Sequence, residues 1–284
     1  MYRKIHRFLY LAFILEACSM STTEPIATPV PPTSTPIPSP TPAAWDRAGW
    51  NIVWHDEFEG AELDRTNWNF DIGGSGWGNA EWEAYTDQPE NIRIEDGTLV
   101  IEAREDPTLP AGRPYSSARI KTQGLHAWQY GRIEARMKLP YGQGIWAAFW
   151  MLGANNKGWP ASGEIDILEF VGKTPDRIYA TIHAPGYSGG KGVGSSLTVP
   201  AETLNNDFHV YAIEWQENEI HWFLDDQEYF KLTPKDVPAA WIFDHEFFII
   251  MNLAVGGGFP GYPDKTTVFP QFLHVDYVRV YQRP

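Results

Sequence analysis

The sequence predicts an all-β fold, an antiparallel sandwich of two sheets, on three observations. Period-two alternation runs through Arg132-Ile133-Glu134-Ala135-Arg136-Met137-Lys138-Leu139 and again through His274-Val275-Asp276-Tyr277-Val278-Arg279-Val280-Tyr281, so successive side chains face opposite sides of an extended chain. Turn signals recur at short intervals: Glu95-Asp96-Gly97, Pro140-Tyr141-Gly142, and Asp225-Asp226 inside the hairpin-like stretch 221–232. No stretch of comparable length has helical periodicity. Strands with one apolar face pack as two layers around a core. A jelly roll is the specific form expected, although periodicity does not separate it from another sandwich.

Ahead of this body stand two segments of different character. Residues 1–15 combine a basic start (Arg3, Lys4, Arg7) with the apolar run 8–15, far short of the roughly 18 residues a membrane span needs, and read as an export signal. The single cysteine, Cys18, follows in Leu15-Glu16-Ala17-Cys18, which resembles the lipobox at which bacterial lipoproteins are cleaved and acylated, with Glu16 unusual there. An ordinary signal peptide with an incidental cysteine is the other reading. Residues 19–44 are almost entirely Thr, Pro, Ser and Ala, which bury little and favour extended polyproline geometry, so they read as a stalk. The expected organisation is export signal 1–18, stalk 19–44 and one domain over 45–284. The expected location is the cell exterior, with membrane contact only through a lipid at Cys18.

The body from Trp45 carries 19 basic and 34 acidic side chains and no run of Lys or Arg. That sign repels phosphate backbones and anionic lipid, which disfavours nucleic acid and favours a neutral substrate. Without a cysteine the body has no disulfide. It is expected to act as a monomer.

All thirteen tryptophans lie beyond residue 44, several beside polar and glycine-rich segments: Trp77 in Gly76-Trp77-Gly78-Asn79, Trp146 and Trp150 within 144–150, and Trp159 before Pro160. Most tryptophans in a body of this size are core residues, but some here face a cleft. An indole offers a flat apolar face to a sugar ring while Asn, Glu and Gln bind its hydroxyls.

The central motif is Gly163-Glu164-Ile165-Asp166-Ile167-Leu168-Glu169-Phe170. In a regular strand Glu164 and Asp166 share one face, and Glu169 falls on the other with Ile165 and Ile167, in the core. A β-bulge near Ile167 and Leu168 resolves the conflict by shifting the alternation one residue, which gathers all three acids on one side. Glu164 and Glu169 are then about four strand steps apart, roughly 13 Å between Cα atoms at about 3.3 Å each. Side chains leaning together bring the carboxyl groups toward the ~5–5.5 Å of a retaining glycosidase, with the wider inverting spacing still open. In the retaining scheme Glu164 attacks the anomeric carbon and Glu169 is acid and then base. Asp166 bonds to the nucleophile and opposes ionisation of all three. Two plainer readings of the spacing are a cation site, such as Ca²⁺, and a solvated strand face.

At these residues the chain resembles the laminarinase-type members of glycoside hydrolase family 16, whose signature is Glu-x-Asp-x-x-Glu on a bulged strand. The resemblance spans about 50–281 and includes Trp77-Gly78-Asn79-Ala80-Glu81, Ser117-Ala118-Arg119-Ile120-Lys121-Thr122, Gly158-Trp159-Pro160, His183-Ala184-Pro185-Gly186-Tyr187-Ser188-Gly189-Gly190, Asn252-Leu253-Ala254-Val255-Gly256-Gly257 and the closing residues 275–281. It implies a jelly roll with an open groove, retention of configuration, and endo-cleavage of β-1,3- or β-1,3-1,4-glucan without a catalytic cofactor. It also implies that Asn79, Arg119, Trp146, Trp150 and Trp159 line the donor side of the groove, that His183 lies near the acid on the acceptor side, and that a structural Ca²⁺ has Glu57, the Gly97 carbonyl and Asp276 as ligands. Gly258 and Phe259 depart from the Asn and Trp frequent in relatives, which puts affinity or subsite preference in doubt.

Other functions have weaker support. Gly186-Tyr187-Ser188-Gly189-Gly190 matches an esterase elbow formally but lacks the following helix, and the body has no cysteine or helical histidine pair for zinc. A non-catalytic glucan-binding module on the same fold, a transglycosylase, and a hydrolase of another polysaccharide such as agar are the alternatives.

Overall fold

A computed structural model of the protein describes residues 45, 47–109 and 112–284. The export signal with Cys18 and the stalk 19–44 lie outside the described residues. The larger of two sheets runs, in spatial order, β15 (Gln227–Leu232), β14 (Glu219–Leu224), β13 (His209–Gln216), β8 (Gly131–Lys138), β17 (Gln271–Gln282), β5 (Thr98–Glu105), β6 (Tyr115–Ser117), β3 (Glu83–Tyr85). To it are added β1 (Asn51–Asp56) beside β17 and β4 (Ile92–Glu95) beside β5. The smaller sheet runs β12 (Val193–Thr198), β11 (Arg177–His183), β10 (Glu164–Val171), β9 (Ile145–Gly153), β16 (Phe247–Val255), β7 (Arg119–Lys121), β2 (Asn69–Phe70). Strand pairs are antiparallel apart from β3 with β6. Neighbours such as β8 and β17, or β9 and β16, are far apart in sequence, as a jelly roll requires. Among the described residues the one α-helix is the single turn Thr203–Asn206, and no helix is long and apolar enough to cross a membrane.

The expected turns form as their residues dictate. Asp96 and Gly97 (φ 49° and 72°) join β4 to β5, and Asp225 and Asp226 (φ 49° and 64°) join β14 to β15. Positive φ at both central positions matches the right-handed twist of a hairpin, and Asp and Gly tolerate it best.

The core lies between the sheets. Ile133, Ala135 and Met137 of β8 with Tyr211, Ile213 and Trp215 of β13 meet Phe149 and Met151 of β9 and Ile249, Met251 and Leu253 of β16. The polar face of β8 is not simply solvated, as alternation alone suggests. Arg132 is 1% exposed and binds Glu134 (2.7 Å), Glu214 (3.3 Å) and Asp226 (2.6 Å), while Arg47 covers them through Glu134 and Asp226. Paired charges replace the water that the burial removes.

Candidate active site

The outward face of the smaller sheet presents aligned rows of side chains. One row crosses Arg119 on β7, Asn252 on β16, Ala148 on β9, Glu169 on β10 and Tyr179 on β11. The next crosses Ile250, Trp150, Asp166 and Thr181, and the third Phe248, Leu152, Glu164 and His183. All three acids thus stand opposite the groove-facing positions of β9. The register between β9 and β10 shifts between Asp166 and Leu168, leaving Ile167 unpaired, and both Ile167 and Leu168 are buried in the core. This is the bulge the charge pattern demands. Ala148, between Asn252 and Glu169, is the small residue that keeps the floor of the groove open.

Two adjoining cavities, about 420 and 570 Å³, share Asn79, Trp146, Trp159, Glu164 and Glu169. The first also holds Trp77, Glu81, Arg119, Trp150, Asp166 and Asn252. The second holds Tyr179, His183 and Phe259. The five residues expected to lie together, Asn79, Arg119, Trp146, Trp150 and Trp159, therefore share the first cavity, and His183 lies in the second. Arg119 is clamped between the rings of Trp77 (5.0 Å) and Trp150 (4.7 Å) and paired with Asp71 (2.9 Å). Trp68, Trp215 and Trp222, by contrast, are fully buried core residues.

The acids are bound to one another and to their neighbours. The indole N–H of Trp159 donates to Glu164, Asp166 is hydrogen-bonded to Glu164, and His183 Nε2 is 3.3 Å from Asp166 Oδ2. Burial first and Asp166 second push the Glu164 carboxyl up to about 8, against His183 and Trp159. Burial raises Asp166, opposed by its bond to Glu164. Glu169 is held well above the usual carboxylate range by burial, then by Asp166 and Glu164, with His183 and the Trp146 indole pulling it down. Three adjacent carboxyls, one buried and two half-buried, do not all ionise, so the group keeps protons at neutral pH.

Ligand atoms of Glu164, Asp166 and His183 lie within 4.8 Å of one another, a spacing that a metal also accepts. The Trp159 N–H pointing at Glu164 argues for an anion there, since a cation in the same space faces a donor. The calcium set fares worse. Both oxygens of Glu57 take the Arg279 guanidinium (2.8 Å each), and Asp276 Oδ2 takes Arg136 (2.7 Å). Gly97 lies in the β4–β5 turn. Two carboxylates each already neutralised by a guanidinium do not fit a calcium cage as they stand.

The esterase-like Ser188 precedes a three-residue 3-10 turn, Gly189–Lys191, rather than a helix, so no elbow forms. Glu81 and Asn252 belong to the groove although sequence reasoning did not assign them there. The signal available was their place in the motifs around Asn79 and after β16.

The model of glycosyl hydrolases family 16 matches residues 79–278. The chain belongs to glycosyl hydrolase family 16. Over 248 residues it is 46% identical to the β-glucanase of Rhodothermus marinus, an alignment covering 82% of this chain and 85% of that one. The laminarinase catalytic domain from Thermotoga maritima MSB8 is similar in structure with a TM-score of 0.79 at 46% identity, covering 83% of this chain and 99% of that domain. The endo-β-1,3-glucanase from Pyrococcus furiosus gives 0.79 at 45% identity, covering 83% and 95%. This family 16 protein is accordingly a glycoside hydrolase on a jelly roll. Its departure at Gly258 and Phe259 leaves a smaller ring, 36% exposed, set edge-on against Trp146 (5.6 Å) and Tyr179 (5.2 Å).

Proposed function

We propose that the protein is a retaining endo-β-1,3-glucanase, also able to take β-1,3-1,4-glucan, with Glu164 as nucleophile and Glu169 as acid and base. The observation that carries the proposal is the bulge, which turns Glu164 and Glu169 into one groove between two cavities. A groove with room on both sides of the reacting pair suits internal cleavage of a long chain. Relatives named as laminarinases and endo-1,3-β-glucanases support the choice of substrate.

In the first step a carboxylate oxygen of Glu164 bonds to the anomeric carbon as the glycosidic C–O bond breaks, and Glu169 gives its proton to the departing oxygen. In the second, Glu169 takes a proton from water, the water oxygen bonds to the anomeric carbon, and Glu164 is released. Glu169 starts protonated, as its burial and neighbours favour. Glu164 reacts as the anion, which the Trp159 indole N–H stabilises by donating to it against the opposing effects of burial and Asp166. As the bond to the sugar forms, the charge on Glu164 falls, while Asp166 stays beside it with His183 Nε2 3.3 Å from its Oδ2.

The expected export signal and Cys18 support a further part of the proposal, that the enzyme works outside the cell, where such polysaccharides are met, with lipid attachment at Cys18. Purified protein is expected to release oligosaccharides from laminarin, and Glu164→Gln and Glu169→Gln to lower this by at least about a thousandfold with the circular dichroism spectrum unchanged. Full activity in either variant would refute the assignment.

A further inference from the structure

The donor-side wall contains a second pair of carboxylates that the reaction above does not use. Glu81 and Glu83, two apart on an extended segment, lie on the same side of the chain, 3% and 0% exposed, while Trp82 between them stacks on Tyr262 (4.2 Å). Glu81 Oε1 accepts from Asn79 Nδ2 (2.8 Å) and Oε2 from the Tyr85 hydroxyl (3.3 Å). Tyr85 in turn accepts from Asn252 Nδ2 (3.2 Å), and Asn252 Oδ1 accepts from the Trp150 indole (2.8 Å). A chain of bonds therefore leads from Glu81 to three groove residues, Asn79, Asn252 and Trp150.

Glu83 stands behind it. Its Oε2 accepts the Val255 N–H (2.7 Å), its Oε1 is buried with no N–H or O–H to accept from, and the Glu81 carboxylate lies within hydrogen-bonding reach of the same side chain. Among the described residues, the charged and titratable groups around it offer no neutralising cation. Arg119 is committed to Asp71, Arg113 donates to the Glu81 backbone carbonyl (3.2 Å), and Tyr115 is the residue paired with Glu83 across β6. An anionic Glu83 beside an acceptor-only Glu81 is therefore unfavourable, and a proton on Oε1 satisfies both groups at once.

We propose that Glu83 is a neutral carboxylic acid that donates its Oε1 proton to Glu81, and that it acts as a positioning residue holding the hydrogen-bond chain of the donor side in register. Burial, and next the charge of Glu81, keep the Glu83 carboxyl well above the usual range, so the proton is lost only on the alkaline side. Its loss sets two anions against each other and releases Asn79 and Tyr85. Substrate binding weakens while the reacting pair is untouched. The proposal rests on the glucanase reading for its substrate but not for its proton.

The test measures kcat and KM on laminarin oligosaccharides from pH 5 to pH 10. The wild type is expected to show KM rising about tenfold on the alkaline side with kcat following only the catalytic acids. Glu83→Ala should show a high KM at all pH values, and Glu83→Gln, whose amide N–H replaces the proton permanently, should restore the low KM and abolish the alkaline rise. An alkaline rise in Glu83→Gln equal to that of the wild type overturns the proposal, as does a KM in Glu83→Gln as high as in Glu83→Ala. ¹³C NMR of labelled glutamate carboxyls in the Glu164→Gln/Glu169→Gln protein gives a readout independent of activity and of Glu83 variants folding. One buried glutamate remaining protonated at pH 7 supports the proposal, and every glutamate ionised there refutes it. Inactive Glu83 variants alongside a protonated glutamate would count against the positioning role, since KM is where that role must appear.

Discussion

The indole N–H of Trp222, on β14 of the larger sheet, donates across the core to the backbone carbonyl of Asp166 on β10 of the smaller sheet, 2.8 Å away. Asp166 is the residue after which the register with both neighbouring strands breaks. A fully buried bond between the layers thus holds the start of the bulge. Trp222→Phe keeps most of the apolar volume and leaves that carbonyl without its donor, which costs about 1–3 kcal/mol. The midpoint in chemical denaturation should fall accordingly, and kcat should drop more than KM changes, because the bulge sets the relation of Glu164 to Glu169.

Asp166 pushes Glu164 up through its charge, so replacing it with a neutral amide has a defined sign. In Asp166→Asn the Glu164 carboxyl ionises at lower pH, and the acid limb of kcat/KM moves downward. At the optimum, kcat/KM should fall about tenfold, roughly 1.4 kcal/mol of transition-state stabilisation, as a less basic Glu164 becomes the poorer nucleophile. Full pH profiles of both proteins give the comparison.

Glu169 contributes the opposite of stability at neutral pH. Its folded-state carboxyl is raised by burial and by two neighbouring acids. Below the unfolded value both states hold the proton and no penalty exists. As pH rises toward the folded value the unfolded chain loses a proton that the folded chain keeps, and stability falls. Glu169→Gln removes the penalty, so the variant should melt higher than wild type at pH 8, by an amount of ordinary size for one substitution, about 0.5–3 kcal/mol, and show no gain at pH 4. Scanning calorimetry at the two pH values separates these outcomes.

Phe259 presents a small, edge-on ring in the second cavity. Phe259→Trp offers a larger face to a sugar and should lower KM for long glucans about two- to fivefold, while Phe259→Ala should raise it, each with kcat changed little. Initial rates on long and short oligosaccharides give both numbers.

What the sequence makes legible follows from local conflict. Glu169 falls on the core side of a regular strand, and that contradiction predicts a bulge; the Asp-Gly and Asp-Asp turns and the alternation of β8 and β17 are equally local. The bond from Trp222 to Asp166 joins residues 56 positions apart, and the bond from Val255 to Glu83 joins residues 172 apart; neither leaves a periodic trace. Glu57 and Asp276 have oxygens suited to calcium, but partner choice depends on where Arg279 and Arg136 arrive, which only the packed sheet decides.

The division of labour between Glu164 and Glu169 is tested most directly by a fluorinated, activated glucoside that forms the covalent intermediate but resists its hydrolysis. Mass spectrometry of the digested protein should find one sugar per chain, attached to Glu164. Label on Glu169 or Asp166, or hydrolysis of the native substrate to the inverted anomer with no label, would contradict the account.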